Sequence, residues 1–257
     1  MFELIRQLVN LYGATGREAG VADAVEALVK DHVDSIRRDA LGNLICEKRG
    51  TDPDGKRIML SAHMDHIGFI VVAVEKEGFL RVMPVGGVGL AVSRTRHVSF
   101  QNGVQGVIVQ EPVREGEPAM KHMFIDIGAA DETEALSMVS LGDVAVYAND
   151  CFRLGEHRVA APAMDDRIAC ALLVSVMQAL PQTRNTVIAV FSTQEEVGCR
   201  GAAGAAFRPR ARGHRHRAGR DGAWRHAGNQ AARCEAGRGR GGQDHGPRQH
   251  LQPRSGA

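Results

Sequence analysis

Apolar residues recur at three- and four-residue intervals over residues 3–11 and 20–32, the spacing of two amphipathic helices, and the pattern then shifts to short extended runs. Gly42-Asn43 reads as a turn before a strand at 44–47, and a further apolar strand starts at Arg57 and runs into His63. From residue 69 to about 154, alternating runs at 70–74, 79–82, 97–100 and 104–109 are separated by glycine turns. Such short strands favour a small β-barrel. Beyond the barrel the helical pattern returns with the apolar run 171–177. The segment 185–191, NTVIAVF, is apolar and β-branched enough to be a buried parallel strand. The interleaving of helices and strands predicts an α/β protein, and 257 residues allow one large or two modest domains.

Polar residues of a particular kind stand where these strands end. Glu195 and Glu196 follow the strand at 185–191, and the carboxyl ends of strands are where open α/β sheets place their sites. One carboxylate of such a pair can bind a metal while its neighbour moves a proton; adjacent acids also suit a solvated turn. His63 and Asp65 close the strand from Arg57. Two residues apart on an extended backbone they share a face, so Asp65 can hold the imidazole as the partner of a metal-binding histidine; the alternative is a pair that merely caps the strand. In Ala161-Pro-Ala-Met-Asp165-Asp166-Arg167, Asp165 stands at a helix entrance in ligand position. Asp166 and Arg167 are expected to be a helix N-terminal acid and a surface ion pair. Imidazole and carboxylates with almost no cysteine suit Zn, Co or Mn in a hydrolytic site.

In this order and spacing, HMDHIGF, AMDDRIAC and STQEEVGCRGA resemble the cocatalytic metallo-aminopeptidases of the tetrahedral (TET) type, among them glutamyl and deblocking aminopeptidases and some members labelled endoglucanases. Gly13-Ala-Thr-Gly-Arg-Glu18, Asp39-Ala-Leu-Gly-Asn-Leu44 and Phe124-Ile-Asp-Ile-Gly128 fit as well, so the resemblance covers residues 3–204. It implies a phosphorylase/hydrolase-like aminopeptidase core, a mixed sheet with helices on both faces. By that reading residues 1–68 and 158–204 are two parts of the catalytic α/β domain, and 69–157 an inserted β-barrel oligomerisation domain. It further implies two divalent metal ions per subunit (Zn or Co, with Mn as an option), with His63 a ligand of one metal, Asp65 its orienting partner and Asp165 a bridge between the two. Glu195 would be the general base and Glu196 a ligand, acting on peptide substrates at their N-termini. Dimers and tetrahedral dodecamers are the implied assemblies. The family usually has Glu where this chain has His66; that histidine flanks the site and is expected to face solvent, with modulation of the site as the alternative.

Composition changes the picture after residue 204. Residues 201–257 hold 12 Arg, 12 Gly and 12 Ala, with no Lys, Ile, Val or Met, too little apolar surface to offset ordering entropy, so 205–257 are expected to be a disordered, non-family tail. Charge divides likewise: residues 1–200 carry 20 basic and 27 acidic side chains, net −7, and the tail carries 12 and 3, net +9. An Arg/Gly tail could bind RNA. A single-base frameshift near residues 204–208 is the preferred cause. Read one nucleotide later, the back-translated tail permits T-G-R-G-D-T-P-G-T-K at 221–230 and K-I-M-D-R-G-S-I-S-N-P at 243–253, strings that resemble the family. The C-terminal part of the core, with one ligand of each metal, would then be missing, and little or no peptidase activity is expected. Another two-metal amidohydrolase such as a deacylase, and a catalytically dead assembly or binding protein, are the competing functions.

Five scattered cysteines without a C-x-x-C pair point to thiols in a reducing cytoplasm. No leader pattern opens the sequence and no run approaches the roughly 20 apolar residues of a membrane span, so no membrane partner is expected; nucleic acid is not expected either, despite the basic tail, given the frameshift reading of that segment. Gly86-Gly87 and Gly89 lack a following Lys-Ser or Lys-Thr and read as a β-turn rather than a phosphate loop.

Overall fold

The structure, a computed structural model, describes residues 1–113, 116, 119–148 and 151–206. Two helices open the chain, α1 (Phe2–Val9) and α2 (Ala19–Val29), the latter continued by a short 3-10 turn over Lys30–His32. Val21, Val25 and Val29 of α2 lie one turn apart and are buried, the stripe that its spacing predicts. Strands β1 (Ser35–Arg38), β2 (Leu44–Lys48) and β3 (Arg57–His63) follow.

The chain then builds β4 (Gly68–Val74), β5 (Leu80–Val85), the single turn α3 (Leu90–Ser93), β6 (His97–Ser99), β7 (Gln105–Gln110), β8 (Met123–Asp126), α4 (Glu132–Met138) and β9 (Val144–Tyr147). It returns through the hairpin β10 (Phe152–Leu154) and β11 (Arg158–Ala160) to α5 (Met164–Ala179), β12 (Thr186–Ser192) and α6 (Arg200–Ala206). No helix among the described residues is long and apolar enough to cross a membrane.

The α/β part is a four-stranded mixed sheet in the order β1-β2-β12-β3, in which only β12 and β3 are parallel. Alternate residues of β12 face opposite layers. Val187, Ala189 and Phe191 pack with Leu44, Cys46 and Ala62 against α1, α2 and α5, where Leu8, Val25, Leu173, Val174 and Met177 complete the main core. Ile188 and Val190 pack with Ile45 on the other face, against Met59 and Ala205 of α6. Helices on both faces explain why β12 reads as a continuous apolar run rather than an alternation. Ser192 pairs with His63, so β3 and β12 end level and release their following residues side by side.

The second part is a closed six-stranded barrel in the order β4-β5-β8-β7-β6-β9. Inward residues Phe69, Val71, Leu80, Val82, Val98, Ile108, Ile125 and Tyr147 fill it, with Phe69 and Tyr147 edge to face at 5.6 Å. A mixed α/β sheet with a small barrel is the fold that the pattern of the chain and its family resemblance predict.

Strand β1 is an element the hydrophobic pattern does not show. Ser35-Ile-Arg-Arg38 is polar because it lies at the sheet edge, where charged side chains face water and block further pairing. A tight connection places it on β2: Asp39 Oδ1 accepts from the amides of Leu41 and Asn43, and Gly42 turns at φ 89°. Of the segment expected to be disordered, residues 205 and 206 close α6; the remainder from 207 lies outside the described residues.

Candidate metal centre

The level ends of β3 and β12, with the start of α5, bring together the residues singled out in the sequence. His63 is the last residue of β3 and is buried. Its backbone is held from α5, since its N–H donates to Asp166 Oδ2 at 3.3 Å and its carbonyl accepts from the Cys170 thiol at 3.1 Å. Its Nδ1 lies 2.9 Å from the Asp65 backbone carbonyl and 3.6 Å from Asp65 Oδ1, so the main chain of Asp65 gives the closer contact. With Nδ1 so occupied, Nε2 is turned to the carboxylates, 3.1 Å from Asp165 Oδ1 and 3.7 Å from Glu195 Oε2. Ligand atoms of His63, Asp165 and Glu196 all lie within 4.8 Å of one another.

Asp65 is fully buried, and its carboxylate does more than face the imidazole. Oδ1 accepts from the Glu195 amide at 2.9 Å; Oδ2 accepts from the Glu196 amide at 3.2 Å and from Thr15 Oγ1 at 2.8 Å. Burial alone would raise its pKa, but His63 and these donors hold it below the usual carboxylate value.

The turn carrying the glutamates is fixed on its other side by Asn43. The Asn43 amide oxygen accepts from Thr193 N at 2.9 Å and its nitrogen donates to Gly201 O at 2.9 Å. A Cβ on Gly201 would stand 2.3 Å from both Asn43 Oδ1 and Thr193 O, so only glycine permits this approach. Glu195 Oε1 accepts from the Cys199 thiol at 3.2 Å.

The electrostatics describe a site with an excess of negative charge. Burial, together with the carboxylates of Asp165, Asp65 and Glu195 and against the nearby His63, raises the Glu196 pKa to about 7. Burial by itself would lower the His63 pKa, yet its bonds to Asp165 and Asp65 carry it up to about 11. Asp166 is raised to about 6 by burial. One imidazole nitrogen and several carboxylate oxygens around a common point suit a borderline divalent cation of the Zn or Co type.

Arg167 and His66 both depart from the surface positions expected of them. Arg167 is fully buried and forms no surface ion pair: its Nε donates to Met64 O at 2.6 Å and its Nη1 to the carbonyls of Leu8 and Leu11. His66 does not face solvent either. It is 2% exposed, its Nδ1 lies 3.2 Å from Ile67 O, and its Nε2 has no hydrogen-bond partner among the described residues. In both cases long-range packing overrides a polar local sequence.

Burial, and then the positive charge of Arg167, lower the His66 pKa to about 3. An unfolded histidine titrates near about 6.5, so between those pH values the unfolded chain binds a proton that the folded chain excludes. Stability due to His66 therefore falls as pH drops below about 6.5, by up to about 1.4 kcal/mol per unit. His66→Gln removes that slope. Its urea-unfolding free energy should change less than that of the wild type between pH 7 and pH 5; parallel profiles would contradict the assignment.

Thr15, Glu18 and Asn43 support the site; they lie in the two N-terminal segments that carry the family resemblance, but neither segment assigns them that role. Thr15-Gly-Arg-Glu18 at a helix start has the local form of a capping box. The structure instead directs Thr15 to Asp65 and Glu18 to the amides of Gly16 and Gln194.

An open groove of about 660 Å³ lies apart from these residues, between α2 and β1, lined by Asp23, Glu26, Lys30 and Arg38 among others. The site sits instead at the carboxyl ends of β3 and β12.

The family model described as M42 glutamyl aminopeptidase matches residues 42–212. The chain is 41% identical over 209 residues to an Acetivibrio thermocellus protein named for aminopeptidase activity, a match covering 80% of this chain and 62% of that one. Among solved structures, an aminopeptidase from the archaeon Desulfurococcus kamchatkensis superposes with a TM-score of 0.76 at 35% identity, covering 80% of this chain and 59% of that chain. The Pyrococcus horikoshii TET1 peptidase, which can assemble into a tetrahedron or a large octahedral shell, gives a TM-score of 0.72 at 32% identity over 79% of this chain and 64% of that one. The chain thus spans about 62% of the length of the curated relatives it matches first. A family model that begins on the Gly42-Asn43 turn and runs through both halves of the site, together with these relatives, leads to one conclusion: the chain belongs to the M42 glutamyl aminopeptidase family.

Proposed function

We propose that the chain carries the first part of a dinuclear-metal aminopeptidase centre, one that removes N-terminal residues from peptides. The observation that supports this is the convergence of His63, Asp165 and Glu196 on one point, with Glu195 beside them and positioned separately. His63 Nε2, Asp165 and Glu196 would hold metal, Asp165 as the residue shared between two ions. A bound divalent cation supplies Lewis acidity toward a peptide carbonyl and makes water a better proton donor. Glu195 takes the proton from the attacking water at a carboxylate oxygen and returns it to the departing amine. Cys199 steadies the other oxygen of Glu195, and Asp65 fixes both the imidazole and the two glutamate amides.

Residues after 204 bear on activity, because no position there matches the further acidic ligand and histidine that the family resemblance implies. We read that segment as frameshifted and expect weak metal binding and little or no hydrolysis by this chain. Self-assembly belongs to the same reading: Val72, Met83, Val92 and Val107 leave apolar surface on the barrel, suited to contacts between copies in the cytoplasm.

Two proteins test the proposal, the chain as it stands and one carrying the restored frame, each supplied with Zn or Co and offered aminoacyl anilides and N-acyl amino acids. The restored chain is expected to cleave the anilides and the present chain to do so poorly. Hydrolysis of N-acyl amino acids alone would replace the reading with a deacylase. Full activity of the present chain would remove the impairment, and an uninterrupted alternative frame lacking the family strings would remove the frameshift.

A further inference from the structure

Three successive main-chain amides after β12 end on side-chain carboxylates. Gln194 N lies 3.0 Å from Glu18 Oε1, Glu195 N 2.9 Å from Asp65 Oδ1, and Glu196 N 3.2 Å from Asp65 Oδ2. Consecutive amides turned to one side form a concavity that favours an anion. Here the anionic groups come from the chain itself, one of them beside His63 and the other from the N-terminal segment. Glu18 is 6% exposed, and its Oε1 also accepts from Gly16 N at 2.8 Å. Burial raises its pKa while these amides lower it, as expected for a carboxylate kept out of water for its contacts.

The residue it reaches is unusual. Gln194 has φ 55°, a left-handed conformation that side chains other than glycine adopt at a cost and that persists where surrounding contacts over-determine it. From this bend Glu196 joins the ligand atoms of His63 and Asp165, while Glu195 sets one oxygen on the Cys199 thiol and the other 3.7 Å from His63 Nε2. We propose that Glu18 is a positioning residue for the Glu195–Glu196 pair, anchoring the Gln194 amide so that one carboxylate joins the ligand cluster and the other stays beside it. The consequence for metal rests on the function proposed above; the anchoring itself does not.

The Gly16 and Gln194 amides fall on one oxygen, so reach can be varied apart from charge. Glu18→Gln keeps an oxygen at the same distance from the backbone, Glu18→Asp withdraws it by one methylene, and Glu18→Ala removes it. Amide hydrogen exchange on the full chain without metal reads the anchor directly. Alanine and aspartate are expected to speed exchange at residues 194–196 by roughly tenfold or more, with the β2 and β3 amides unchanged and the glutamine variant like the wild type.

Cobalt ion titrated into the same four proteins reads the consequence through its visible absorption. Affinity should fall roughly 10–100-fold with an altered band in the alanine and aspartate variants and return with glutamine. Wild-type protection at 194–196 in the alanine and aspartate variants would overturn the inference. So would exchange that rises equally throughout the sheet, which marks a merely structural residue, or an unchanged cobalt affinity and band. Should the alanine variant fail to fold, aspartate against glutamine carries the comparison. A wild-type chain that binds no cobalt sinks the metal reading, while exchange still decides the anchor.

Discussion

Arg167→Ala is expected to cost about 3–5 kcal/mol of folding stability, a large share of the roughly 5–15 kcal/mol of an ordinary domain. The side chain is wholly buried, and it meets three main-chain carbonyls. Its Nη1 meets the carbonyls of Leu8 and Leu11, at and just beyond the end of α1, where the Leu8 carbonyl also accepts a long bond of 3.3 Å from the Leu11 amide. Its Nε meets Met64 O, between His63 and Asp65.

Truncation would withdraw these donors and open a void the length of the side chain. One contribution opposes this: burial lowers the Arg167 pKa to about 10, so the charged group is costly where it stands, and its Nη2 is without a partner among the described residues. Arg167→Met, which fills much of the space without a charge, should therefore recover part of the loss. Arg167→Lys should recover less than its charge suggests, since a single ammonium cannot span carbonyls matched to a planar fork. Urea unfolding followed by circular dichroism measures all three. An alanine variant within about 1 kcal/mol of the wild type would show that the carbonyls are satisfied without the guanidinium.

Much of this arrangement is legible in the sequence, and the limit has a physical cause. The β12 run, the barrel strands and the stripe of Val21, Val25 and Val29 follow from periodicity, because burial on a regular element repeats with its geometry. His63, Asp165, Glu195 and Glu196 could be singled out because ligand-type residues gather at strand and helix ends, and the structure brings them together. Arg167, His66 and Glu18 could not be read in this way. For two of them the partners that make burial tolerable come from residues far away in the chain, Leu8 for Arg167 and Gln194 for Glu18, while His66 is buried by packing with only the neighbouring Ile67 carbonyl in reach. Strand β1 fails for a different reason, since an edge strand satisfies its burial with few apolar side chains. Helix α2 runs shorter than its apolar spacing because the last turn tightens into the 3-10 segment Lys30–His32.

Asp65→Asn should be nearly as damaging, and it separates stability from metal binding. The two carboxylate oxygens accept three donors, the amides of Glu195 and Glu196 and the hydroxyl of Thr15. An asparagine presents one oxygen and one N–H2 group to the same donors. Thr15 can rotate its hydroxyl to become an acceptor, but a backbone amide cannot, so at least one of the glutamate amides faces another donor. A loss of about 2–4 kcal/mol is expected from a buried N–H left unpaired and from the missing negative charge beside His63.

The pH dependence has a definite sign. The folded pKa of Asp65 is held below its unfolded value, so its contribution is present above about pH 4 and is lost as pH falls through the folded value. The asparagine variant cannot titrate there, and its stability should approach that of the wild type in acid. Metal affinity should fall roughly 10–100-fold, because the imidazole and both glutamates lose a common support. Cobalt titration at pH 7 beside urea unfolding at pH 7 and pH 3 distinguishes the two effects. Wild-type cobalt affinity in a destabilised Asp65→Asn protein would mean that Asp65 stabilises the fold without arranging the ligands.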